Sequence, residues 1–534
     1  MFHQLVTPVA NGLGPSFLVA AVPIGTVLVL LGILRRPAWQ ASAAGLLAAF
    51  ALATLVWKLP PNLALDSIAA GIAFALWPVM WIVVNALLLF NLSVATGRFE
   101  ALRAWLVEHL PDDRRVVLVV IGFSFGCLLE GVSGFGTPIA ITSALLIALG
   151  FRAIDALVFT LMFNTAPVAF GALGAPVTTL AAVTQLPDHV LGAMIGRQLP
   201  FIALLLPFYV TACYSGLRSL RGVWPVLLVA GGTFAAAQFV SANYLGFALT
   251  DVISSSFSLV LTIGFLKLWR MPHDPRYALG PVAPAPVAEA GAVPAWQGWV
   301  PWGVLAAVVI GWIHLKLPAV GQRAIEWPGL HKAVFITLYG TPYTAVWTFQ
   351  PLATGTAILV ATAITAALLR ATPAEVGRAV RLSLRQVWLP ALTTSLIIGL
   401  AYLMNYSGMA YTLGLAVASA GGLFPLLSAF LGWLAVFLSG SDTSGNALFG
   451  NLQVVAARQL GFSPVLMAAT NSSGGVMGKM ISPQNVSTGT SVTRLKGMEG
   501  EVLARTFKHS IALTFILGML VLAQQYLFPG IIPG

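Results

Sequence analysis

Glu130-Gly131-Val132-Ser133-Gly134-Phe135-Gly136-Thr137 in the first half of the chain and Ser439-Gly440-Ser441-Asp442-Thr443-Ser444-Gly445-Asn446 in the second set glycines, hydroxyls and one carboxylate each into otherwise apolar sequence. Each stretch is followed by an asparagine, a glycine and a proline at matching intervals: Asn164, Gly171 and Pro176, then Asn471, Gly478 and Pro483. Asn to Gly is seven positions and Asn to Pro is twelve in both copies. Helix-breaking and bare polar residues at membrane depth are tolerated only where they line a protein-enclosed cavity, so a paired set of them points to the binding site of a transporter built from repeats.

The surrounding composition agrees. The 534 residues are 58% hydrophobic and 8% charged, with mean hydropathy +0.91, whereas soluble domains run near about 25% charged. A net charge of +11 fits positive cytoplasmic loops rather than nucleic-acid binding, since no basic low-complexity arm accompanies it. Cys127 and Cys213, the only cysteines, read as apolar filler rather than as a disulfide or metal ligands. The first apolar run, 15–34, has no basic stretch before it and Arg35-Arg36 after it. That polarity predicts a retained span with its N-terminus outside, not a cleaved signal.

A crossing helix needs about 20 mostly apolar residues. Runs that qualify are 15–34, 40–57, 67–93, 154–185 (interrupted), 198–216, 223–241, 250–267, 299–314, 353–369, 387–405, 463–490 (interrupted) and 509–528. They predict about 12 transmembrane helices in an all-α polytopic protein, with the C-terminus also outside. The polar clusters fall in two further segments, 116–150 and 423–460, each with two apolar arms around a polar tip. An arm of about 14 residues reaches about 21 Å, short of a hydrocarbon core of about 30 Å, which predicts two re-entrant hairpins. This topology puts 20 Lys and Arg in cytoplasmic loops and 6 outside. The first hairpin then enters from the cytoplasm and the second from outside, as in inverted-topology repeats. Residues 1–270 and 299–534 form the two halves, and the Pro/Ala-rich stretch 271–298 reads as a cytoplasmic linker. The stretch 317–350, with Pro318, Pro328 and Gly340-Thr341-Pro342, fits an outer flap or a partial re-entry equally.

Glu130 and Asp442 sit at the two hairpin tips. Ionisable groups at membrane depth are costly and mark function, and a buried carboxyl can take and release a proton; the plainer alternatives are helix capping or pairing with Lys479. Neutral donors and acceptors cluster at the four interruptions: Ser133, Thr137, Asn164 and Thr165 in the first half, and Ser441, Thr443, Ser444, Asn446, Asn471, Ser472, Ser473 and Gln484 in the second. Half-helix N-termini beside them favour an anion such as a carboxylate, while any one hydroxyl can equally bond its own backbone. Lys479 is the basic residue inside a predicted span. It serves either as the cation for a substrate carboxylate or as the partner of Asp442. Gly131-Val132-Ser133-Gly134 matches the short serine pattern of intramembrane rhomboid-type proteases, but the histidines fall in loops or at span ends, where a buried Ser–His pair is hard to build. Without a P-loop, H-E-x-x-H or cysteine cluster, no ATP-driven step, metal or cofactor is expected.

On these residues the chain resembles the L-lactate permease family, bacterial permeases for lactate and glycolate. The matching strings are Trp77-Pro78, Leu129-Glu130-Gly131 through Gly134-Phe135-Gly136, Asn164-Thr165-Ala166-Pro167-Val168-Ala169-Phe170-Gly171-Ala172, Gly196-Arg197-Gln198-Leu199-Pro200-Phe201, Gly440-Ser441-Asp442-Thr443-Ser444, Gly474-Gly475-Val476 and Gly478-Lys479-Met480-Ile481-Ser482-Pro483-Gln484. Val132-Ser133 departs from two small residues usual in the family, and 271–345 is shorter and matches poorly. The resemblance implies proton symport of a 2-hydroxy monocarboxylate across a bacterial inner membrane. Paired hairpins and broken helices are also similar to the wider ion-transporter superfamily, which implies a transport domain moving against a scaffold. Protons, a small monocarboxylate and the lipid bilayer are the expected partners, and a homodimer is compatible with the reading. A sodium-coupled carboxylate carrier is the alternative within transport, and an intramembrane serine hydrolase is the alternative outside it.

Overall fold

The computed structural model describes residues 1–533 except Arg35, Gly134, Phe135, Arg270, His273, 280–292, Arg494 and Lys496. The tip residues Gly134 and Phe135, most of the expected linker, and the charges at 35, 270, 494 and 496 therefore lie outside the described residues, as does the side chain of Thr137. The rest is mostly helical, as an apolar chain must be when lipid offers no partner to its backbone.

Among the described residues, ten helices are long and apolar enough to cross a membrane, or eleven if the bent pair Ala153–Phe163 and Val168–Thr184 is one span. The count differs from twelve for physical reasons. Val300–His314 and Thr354–Leu368 are 15 residues each, about 22 Å of helix. The arms of the first hairpin are also unequal, 19 residues at Arg114–Val132 and 12 at Thr137–Ala148. The long arm would span a bilayer by length alone, yet it is wholly enclosed by protein. The second hairpin pairs Phe424–Ser439 with Asp442–Leu460.

Local sequence sets the breaks. The first interrupted helix bends by 65° between Ala153–Phe163 and Val168–Thr184, and within the second part Ala172 and Leu173 take left-handed φ of 45° and 54°, with Gly174 following at 83°. Left-handed alanine and leucine are strained, a state that persists only where the surroundings fix it, and such strain clusters at functional sites. The second interruption lies between Pro464–Lys479 and Pro483–Val492. Ser463 and Ser482 cap those two segments by accepting from Leu466 N and Asn485 N, with a proline just inside each start, the arrangement expected of helix N-termini.

Residues 317–350 resolve into a β cap rather than a span. Arg323–Glu326 pairs antiparallel with Val346–Phe349, and Val334–Ile336 lies between Thr341–Pro342 and the N-terminal strand Phe2–His3. Prolines and Gly340 end helices here, and the intervening β-branched and aromatic residues favour strands. The helix Leu13–Leu31 leads from this cap to Arg36, so cap and Arg36 mark opposite faces. At the ends of the first hairpin, Arg114 donates to Ala278 O and Arg115 to Ser219 O. The far end of the second contacts the cap, where the Arg458 guanidinium stacks on the Tyr339 ring at 4.8 Å.

Packing crosses the sequence halves. One hydrophobic cluster joins the first three spans, the cap and Pro373–Ser407 with parts of the second hairpin and the first broken helix, while the other joins both hairpins and both broken helices with part of the third span.

Candidate functional site

The hairpin tips and the helix breaks meet inside the protein. Glu130, 3% exposed, accepts from Lys479 Nζ at 2.5 Å on Oε1 and from Asn164 Nδ2 at 3.0 Å on Oε2. Three of the four interruptions thus share one carboxylate, and the ion pair ties the first half of the chain to the second. Lys479 therefore pairs with Glu130 rather than with Asp442. Gly171 lets Glu130 lie against the broken helix, since a Cβ there would sit 3.1 Å from Oε1.

Asp442 occupies a second, denser cluster. Its Oδ2 accepts from Ser472 Oγ at 2.5 Å and Asn446 Nδ2 at 3.2 Å. Asn446 donates as well to Pro176 O and Ser472 Oγ, and accepts from Asn471 Nδ2 at 3.0 Å. Asn471 also donates to Gly445 O and accepts from Gln453 Nε2 at 2.9 Å. Gly475 makes room for the carboxylate, because a Cβ there would lie 2.5 Å from Oδ1.

The remaining predicted residues divide between caps and the cavity wall. Ser133 donates to Leu129 O and Thr165 to Met162 O, each bonding its own helix. Ser441 caps Asp442–Leu460 by accepting from Ser444 N. Thr443 is buried in that helix's first turn. Thr137 opens the second arm of the first hairpin. A cavity of about 800 Å³ reaches from Arg36 and Trp39 to Ser441, Ser444 and Gln484. The second tip is thus open toward the Arg36 face.

Buried polar atoms left without a protein partner mark where a ligand has something to bind. Among the described residues, Asn164 Oδ1, Ser473 Oγ, Asp442 Oδ1 and both oxygens of Asp251 are in that condition around the site. Asp251, in the first turn of Thr250–Leu268, escaped sequence reasoning because it stands at the edge of an apolar run. Its signal was the general one, a carboxylate inside a predicted span. Gln453 and Gln238, which donates to Ala166 O at 3.1 Å, were missed for the same reason: single amides in long helices break no pattern.

A sequence profile described as L-lactate permease matches residues 16–528. The chain belongs to the L-lactate permease family. Relatives in this family include the glycolate permease GlcA of Escherichia coli K12, 39% identical with 99% of each chain covered, and the L-lactate permeases of Bacillus subtilis (38%, 99% of each) and Salmonella typhi (38%, 100% of each). Two solved structures also overlap, the YdaH transporter of Alcanivorax borkumensis and MtrF of Neisseria gonorrhoeae, with TM-scores of 0.44 and 0.45. Their identities are 14% and 13%; each covers 86% of this chain, and the overlap takes in 86% and 82% of theirs. Family membership makes the protein a multi-pass membrane transporter and not an enzyme.

Proposed function

We propose that the chain takes up L-lactate, D-lactate or glycolate by proton symport across a bacterial inner membrane. Relatives named for L-lactate and glycolate supply the substrate class. The observation that carries the chemistry is the buried Lys479–Glu130 pair beside Asn164. A substrate carboxylate competes with Glu130 for the Lys479 ammonium, while Ser473 Oγ stands ready to donate to its second oxygen and Asn164 Oδ1 to accept from its hydroxyl. Displacing Glu130 adds a negative charge to a site nearly closed to water, where an uncompensated charge is expensive. A proton entering with the substrate removes that charge. The coupled proton then rides on a carboxyl of this cluster, for which the sequence names Glu130 and Asp442.

The hairpins and broken helices form the proposed transport domain. The first three spans and Pro373–Ser407 form the scaffold against which it moves, and the cavity at Ser441 is the release path toward the cytoplasm. Both termini lie outside in this orientation, and the halves 1–270 and 299–534 are inverted repeats joined at 271–298. Every residue invoked comes from one chain, so a homodimer would hold two complete sites.

Uptake of radiolabelled L-lactate, D-lactate and glycolate into proteoliposomes under an imposed pH or Na⁺ gradient tests the reading. Accumulation driven by Na⁺ alone would replace protons with sodium, which the Asn and Ser oxygens around Asp442 would also suit. For the orientation, Arg152→Cys is expected to label from the cytoplasm and Gln459→Cys from outside in a Cys127→Ala/Cys213→Ala background. Labelling of both from one side would sink the inverted repeat.

A further inference from the structure

We infer that Asp251 is the residue that holds the coupled proton, an assignment that rests on the proton-symport reading above. Three buried carboxyls of the site differ in what their charged forms have to bind. Glu130 has an ammonium on one oxygen and an amide on the other. Asp442 has a hydroxyl and an amide on Oδ2. Asp251 is 1% exposed and, among the described residues, has no protein partner on either oxygen. Burying an ionised carboxylate without donors is far more costly than burying the neutral acid. Asp251 is therefore the carboxyl that carries a proton in this conformation.

A proton carrier must also be able to let go, and two features keep the ionised form within reach. Asp251 lies in the first turn of Thr250–Leu268, where the helix dipole favours negative charge. It also lies against the hairpin that bears Glu130, because a Cβ on Gly131 would come within 2.6 Å of the Asp251 Cβ. The ionisable groups acting on it are Glu130, Lys479 and the buried Cys127 thiol. The other segments packed on this helix, Trp224–Val240, the turns 241–249, Gly171–Thr184 and Val300–His314, bring only Tyr244 and His314, and both are exposed.

The coupling follows from this placement without any contact between Asp251 and substrate. While a substrate carboxylate engages Lys479, Glu130 and the substrate together raise the local negative charge, and Asp251 keeps its proton. Once the substrate has left and Lys479 is again paired with Glu130, the field on Asp251 relaxes, and the proton departs to the same side as soon as water reaches Asp251, which is closed to it in this conformation.

Proteoliposomes loaded with wild type, Asp251→Asn, Asp442→Asn or Glu130→Gln give the test, with L-lactate and glycolate as probes. Asp251→Asn is expected to lose pH-driven accumulation at least tenfold while keeping lactate counterflow at equal pH on both sides. Glu130→Gln, which strips Lys479 of its partner, is expected to lose counterflow as well. Full pH-driven accumulation by Asp251→Asn, with wild type accumulating normally, overturns the assignment and leaves proton symport standing. An uncoupled signature in Glu130→Gln or Asp442→Asn instead of Asp251→Asn overturns it too. A wild type that ignores the pH gradient overturns both readings. Should Asp251→Asn fail to fold, Asp251→Glu replaces it: a moved carboxyl shifts the pH profile of uptake, and an unshifted profile counts against Asp251.

Discussion

The two hairpin tips begin from matching sequence and end in opposite electrostatic arrangements. Around Glu130 the structure places one ammonium and one amide, contributed by different halves of the chain, and leaves Asn164 Oδ1 open. Around Asp442 it places a continuous net of Ser472, Asn446, Asn471 and Gln453, most of whose donors and acceptors are already committed within the second half. A charge held by one exchangeable partner can be reorganised by an incoming anion. A charge held by several interlinked bonds resists it, because every displaced bond leaves a buried group unmet, although Asp442 Oδ1 itself has no partner among the described residues. The first tip is accordingly the responsive one and the second the rigid wall.

The largest effect is expected where that contrast is sharpest. Lys479→Met leaves Glu130 buried beside a thioether, and removing one partner of a buried pair costs about 3–5 kcal/mol. Thermal unfolding in detergent should show the loss, and uptake should vanish. Adding Glu130→Gln should restore much of the stability but none of the transport. A double variant as unstable as the single would mean that packing at 479, not charge, holds the site together.

A smaller effect separates the asparagines, which the sequence treats as equivalents. Asn471→Ala removes partners from Gly445 O, Asn446 Oδ1 and Gln453 Nε2, so it should cost about 2–3 kcal/mol of stability. Asn164→Ala removes a single bond to Glu130. It should cost less in stability, about 1–2 kcal/mol, but weaken lactate binding roughly tenfold, measured by calorimetry at fixed pH. The reverse ranking, with Asn471 governing affinity, would exchange the roles of the two tips.

The smallest change belongs to Ser133. Among the described residues its hydroxyl bonds Leu129 O of its own helix, a bond that adds little to helix stability. Ser133→Ala should leave uptake unaltered and stability within about 0.5 kcal/mol. A large loss of transport would bring Ser133 into the binding site after all.

By itself the sequence determined that this is a helical membrane transporter with two interrupted elements per half, because lipid forbids unpaired backbone and so every glycine, proline and polar cluster at depth stands out against apolar runs. It also named Glu130, Asn164, Asp442 and Lys479, since bare ionisable or amide groups in such runs are conspicuous. Only the tertiary structure decided who meets whom. Lys479 pairs with a residue 349 positions away, a relation that no local spacing encodes. The repeat spacing predicts like environments for Asn164 and Asn471, yet their neighbours come from helices packed differently in the two halves. The β cap, too, depends on Phe2–His3 reaching a strand at Val334–Ile336. Asp251 was visible as a letter and invisible as a site, because what distinguishes it is the absence of donors around it, and that is a property of packing alone.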